Sequence, residues 1–84
     1  MKYFYITFRS VTFAQRGERI LQRIGLDCTL MRTPKELSQR GCSYCLRIRP
    51  GDSMEAVEAL KLNQIYFSKV YAVMKDGGVE EIEI

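Results

Sequence analysis

Two hydrophobic periods alternate along this chain, and that constrains its fold more than anything else. A period-two strand, a period-3.6 helix and another strand appear, and then the same order repeats, all within 84 residues. Lys2 to Phe8 alternates as a strand, with Phe4, Ile6 and Phe8 on one face and Tyr3, Tyr5 and Thr7 on the other. Ser10 is placed to cap the helix that follows. In it Phe13, Ala14, Gly17, Ile20, Leu21 and Ile24 recur at helical spacing, while Gln15, Arg16, Glu18, Arg19, Gln22 and Arg23 take the wet side. Gly17 lies on the inward stripe, where its cost of about 1 kcal/mol is tolerable if the helix approaches a sheet closely. Gly25 ends the helix, and Leu26 to Arg32 forms a second strand with Cys28 and Leu30 inward.

The next stretch carries the candidate chemistry. Thr33 can cap, Pro34 suits a first helical position, and Glu36 stands where a capping box wants a carboxylate. Gly41 suits the left-handed residue that closes such a helix. The spacing therefore predicts a short helix that stops at Gly41 and delivers Cys42 to the mouth of a third strand, Cys42 to Arg49. On that strand Tyr44, Leu46 and Ile48 share one face and Cys45, Arg47 and Arg49 the other. Pro50-Gly51 breaks the chain. Asp52 with Glu55 is a second capping signature, opening a helix from Ser53 to Leu62 with Met54, Val57 and Leu60 inward. Asn63-Gln64 is a turn, Ile65 to Met74 a fourth strand and Asp76-Gly77-Gly78 a hairpin signal. Val79 to Ile84 either returns as a short acidic edge strand or stays mobile.

This order predicts one domain over residues 1–84, with a core at 1–74 and a hairpin or acidic tail at 75–84. The architecture expected is a ferredoxin-like βαββαβ α/β sandwich: a four-stranded antiparallel sheet, order 4-1-3-2, with both main helices on one face. In that order the start of the third strand lies beside the end of the first. Cys42 is then expected near Arg9, Ser10 and the opening turn of the first helix, where free N–H groups and positive charge favour a thiolate. Arg9, Ser10 and Arg40 form the supporting set. Arg47 is a weaker member because it points to the other face, and Cys45 joins the set three residues on. Cysteine is more often a small buried hydrophobe than a nucleophile, and that reading is kept for Cys28 and fits Cys45.

Composition narrows the function classes. With 46% hydrophobic residues the chain is globular, and no apolar run approaches the length of a membrane span. The opening Met-Lys-Tyr-Phe-Tyr-Ile-Thr-Phe is too short and aromatic for a signal peptide. Three cysteines, an odd number, suit a reducing cytoplasm better than a disulfide scaffold. A net charge of +3 permits an anionic partner without requiring one. With no histidine there is no Ser-His-Asp set, and with three cysteines, one of them remote, a four-ligand zinc site would have to be shared between subunits, so neither a cofactor nor a metal is expected. A Cys42-x-x-Cys45 pair on a strand bridges poorly, because residues three apart point to opposite faces.

The strand ending in Phe-x-Ser, the helix, Thr33-Pro-Lys-Glu-Leu-Ser38 and Gly41-Cys-Ser-Tyr-Cys-Leu-Arg-Ile48 together resemble the selenium/sulfur carrier-like family (DUF3343). Its Pro-x-Glu-x-Ser and Cys-Gly-x-x-Leu-Arg motifs fall on Pro34, Glu36, Ser38, Cys42, Leu46 and Arg47. Ser43 stands where the family commonly has glycine, and Cys45 is an addition. The resemblance implies a stoichiometric carrier rather than an enzyme. In it Cys42 would hold a persulfide or selenosulfide between donor and acceptor proteins.

Two rivals come from other classes. One is an RNA-recognition-like module, with Arg40-Gly41-x-x-Tyr44 echoing a third-strand motif and Tyr3 and Tyr5 as stacking platforms. It fails on parity, since it would bury Arg47, and nucleic acid is therefore not the expected partner. The other is an interaction domain that forms a homodimer through an open sheet face bearing Tyr3, Tyr5, Cys45 and the arginines.

Overall fold

The computed structural model describes residues 2–37 and 43–83. The first strand, β1 (Tyr3–Phe8), leads through Ser10 into helix α1 (Val11–Arg23). The Ser10 hydroxyl accepts from Phe13 N at 3.4 Å, the expected N-cap. At the other end Gly25 takes φ +85°, Leu26 N donates to Leu21 O (2.9 Å) and Gly25 N to Gln22 O (3.0 Å). This Schellman closure leaves Gly25 in the left-handed conformation its sequence position predicts.

Strand β2 (Cys28–Arg32) starts two residues later than expected, and β3 (Tyr44–Ile48) follows. A 3₁₀ turn at Pro50–Asp52 opens helix α2 (Ser53–Leu62), after which come β4 (Val70–Val73) and β5 (Val79–Ile82). The sheet order is β2-β3-β1-β4-β5, antiparallel throughout. That is the predicted ferredoxin-like order with one strand added at the β4 edge. The acidic tail therefore pairs, turning through Gly77 (φ +91°), with Asp76 Oδ1 accepting from Gly78 N at 2.8 Å.

Both helices cover one sheet face. Phe4, Ile6, Phe8, Leu46 and Ile48 meet Ala14 and Leu21 of α1 and Ala56, Val57 and Leu60 of α2. A Cβ on Gly17 would stand 3.2 Å from both Leu46 Cδ1 and Leu60 Cδ2, so the missing side chain is what lets α1 settle onto the sheet. The other face is not open. Leu37, only 2% exposed, packs with Tyr5, Cys45 and Tyr71.

Several local expectations are corrected. Residues 35–37 make one turn, closed by Leu37 N donating to Pro34 O at 2.9 Å. The remainder of the expected helix, 38–41, lies outside the described residues, as does Cys42, the expected first residue of the third strand. Thr33 does not cap that turn: its buried hydroxyl has no hydrogen-bond partner among the described residues. Asp52 precedes α2 but makes no side-chain cap, because its carboxylate pairs with Arg49 at 3.3 Å. Met54 is 66% exposed, and the inward stripe is instead Ala56, Val57, Ala59 and Leu60. The fourth strand is shorter than Ile65 to Met74 because Thr7 takes two residues opposite it. Thr7 N donates to Lys69 O (2.8 Å) and Ser68 N to Thr7 O (2.7 Å), a bulge that interrupts the ladder.

Candidate functional site

The end of β1, the start of α1 and the start of β3 converge at one end of the sheet. Phe8 pairs with Tyr44, so the chain enters β3 beside the point where it leaves β1. Thr33 N donates to Ser43 O at 2.9 Å, which extends the β2–β3 ladder by one rung and pins the chain immediately before β3. Cys42 directly precedes Ser43 in sequence, and it and Arg40 lie outside the described residues. What the structure fixes is the strand end into which Cys42 leads. Arg9 is exposed there, next to Ser10, and the first backbone N–H groups of α1 lack helical partners, as at any helix start.

Arg47 is not brought to this end. It pairs with Tyr5, three rungs along β3 from Tyr44, and its guanidinium lies 4.6 Å from the centroid of the Tyr3 ring on the far face. Tyr3 in turn sits edge-to-face with Tyr5. Tyr5 is buried beneath Leu37, so the two tyrosines do not form an open stacking platform.

The other two thiols are held in their neutral forms. Cys45 is fully buried, and desolvation pushes it up to about 11, against smaller opposing effects of the Thr33 hydroxyl and Arg47. Thr33 Oγ1 is thus close enough to favour the thiolate, although its geometry falls short of a hydrogen bond. Cys28, half-buried, contacts Glu18 O through Sγ at 3.9 Å. Burial, and then the Glu18 and Asp27 carboxylates, push its thiol up to about 11 as well. The two are separated by the sheet itself: Cys28 packs against the helix-side core and Cys45 against the far-face cluster. Among the described residues no group of three or more Cys, Asp or Glu could hold a metal ion.

Two features go beyond what periodicity predicts. Leu37 is the apolar residue of the 33–42 stretch that covers the far face, and its lone position among polar neighbours is the signal for it. The arginines at 16, 19 and 23 follow helical spacing, which gathers them along one side of α1 as well as on its wet face.

These features define a small ferredoxin-like α+β domain with one buried and one half-buried thiol, and with a third cysteine two residues before β3 in sequence. The family described as "Putative Se/S carrier protein-like" matches residues 2–72, and the chain belongs to that family. The match runs from β1 into β4 and stops short of β5. Comparison with the curated proteins and with the solved structures gives no match. No helix among the described residues is long and apolar enough to cross a membrane.

Proposed function

We propose that this domain is a sulfur or selenium carrier in which Cys42 transiently holds the transferred atom. Family membership supports the class. What supports the choice of cysteine is the suppression of the other two, each pushed up to about 11, chiefly by burial. Persulfide chemistry needs a thiolate. In the first step the Cys42 thiolate attacks the outer sulfur of a donor persulfide. A new S–S bond forms at Cys42, the donor's S–S bond breaks, and the donor leaves as its own thiolate. No oxidant is consumed, because the outer sulfur moves at constant oxidation state. Selenium follows the same balance when it is the donor's outer atom. Attack by an acceptor thiolate on that outer atom reverses the step and returns Cys42.

The free amides that open α1, together with Arg9, supply positive potential at the strand end where Cys42 enters. The partners of the cycle are the donor and acceptor proteins. The test is to incubate the protein with glutathione persulfide, trap with an alkylating agent, and map the added sulfur by mass spectrometry. The expected result is one extra sulfur on the Cys42 peptide, lost in Cys42→Ala and discharged by a small thiol. Sulfur found equally on the Cys28 peptide, or on none, overturns the assignment.

A further inference from the structure

Helix α1 and the segment 63–68 enclose two consecutive cavities. The one at the start of the helix, about 460 Å³, is lined by Arg9, Ser10 and Phe13 on one side and Tyr66, Phe67 and Ser68 on the other. The second, about 220 Å³, continues along the same helix between Arg16, Arg19, Ile20 and Arg23 and the residues Asn63 and Ile65. Together they form a trough along one side of α1. Neither lining contains a carboxylate, although the chain has 10 acidic residues.

The charge in this trough is unbalanced. Arg9, Arg16, Arg19 and Arg23 are exposed, and among the described residues the ion pairs engage only Arg49 and Lys69. Glu18, the one acid of α1, raises the Cys28 thiol and so faces β2 rather than the trough. Arg16 to Arg23 spans about 10 Å of helix at 1.5 Å per residue. The apolar part lies at the other end, where Tyr66, 73% exposed, meets Phe13 edge-to-face at 5.9 Å. Exposed aromatic surface rimmed by arginine is the composition of a protein interface core.

We propose that this trough docks an acidic segment of a partner protein, with carboxylates against the arginines and one large apolar side chain in the cavity beside Phe13 and Tyr66. The charge complementarity fixes the sign of the partner. The ring packing favours protein over nucleic acid. A run of stacked bases needs successive free rings. Here the Phe13 ring is engaged both by Tyr66 and by Arg16, whose guanidinium lies 5.6 Å from its centroid, which leaves the exposed Tyr66 alone. The inference stands apart from the carrier reading, since it requires no reaction at any cysteine.

The probe is a fluorescein-labelled peptide of alternating glutamate and leucine with a central phenylalanine, titrated against the full chain by fluorescence anisotropy. Binding is expected to weaken about tenfold in the double variant Arg16→Glu, Arg23→Glu, and to weaken as salt rises. Tyr66→Ser, an exposed change, is expected to weaken it independently of salt. Amide shifts in a nitrogen–proton NMR spectrum are expected at 9–23 and 63–68. The proposal is overturned by binding unchanged in both variants, by shifts elsewhere on the domain, or by an oligouridine that outcompetes the peptide and is lost in the same arginine variant. A salt-sensitive dimer of the chain alone, abolished by that variant, likewise assigns the trough to a second copy and overturns it.

Discussion

At pH 7 a thiol titrating at about 11 is ionised to only about one part in ten thousand, whereas an ordinary cysteine is ionised to a few per cent. Burial therefore holds Cys28 and Cys45 protonated before any partner arrives. It also has a thermodynamic consequence. The unfolded chain loses the Cys45 proton near pH 9, while the folded chain keeps it until about 11. Between those values the unfolded state binds fewer protons, so stability falls as pH rises. Two pH units correspond to about 2 to 3 kcal/mol, and Tyr5, also raised by burial, adds a loss of the same sign at higher pH. Urea midpoints are expected to drop from pH 9 to 11 and to drop less steeply in Cys45→Ala. An equally steep fall in that variant contradicts the assignment to Cys45.

Among the elements, the turn at residues 35–37 has the clearest consequence for the site. Leu37 fills the far face over Tyr5, Cys45 and Tyr71, holding the chain against the sheet just before 38–42. Leu37→Ala is expected to cost about 2 to 4 kcal/mol in chemical denaturation, the range for a buried leucine. It is also expected to make Cys45 alkylatable in the native protein. Wild-type protection of Cys45 in that variant would show that Leu37 is not its seal. How far the elements could be read from sequence follows from the forces involved. The strand β1, the Ser10 cap, the Gly25 stop and the 76–78 turn rest on local chemistry and appear where residue type places them. Asp52 had a local capping signature too, but Arg49 is a stronger partner for its carboxylate. The inward stripe of α2 was hidden because Ala56 and Ala59 carry little hydrophobic signal, whereas exposed Met54 carries a strong one. The bulge at Thr7 and the cover provided by Leu37 depend on contacts distant in sequence, which no periodicity reports.

For the whole molecule, one antiparallel sheet separates two chemical environments. The helix-side core takes Cys28, the far-face cluster takes Cys45, and β3 begins beside the end of β1, two residues after Cys42 in sequence. The meeting of the end of β1 with the start of β3 was legible, because strand order alone brings them together. The burial of Cys28 and Cys45 was expected from residue type, but the cover that Leu37 lays over Cys45 was not, since it depends on tertiary contact. The most direct test is the peptide-resolved rate of alkylation by iodoacetamide in the native protein at pH 7. Cys42 is predicted to react about a hundredfold faster than Cys28 or Cys45. Comparable rates at all three, or a faster Cys28, would contradict the account.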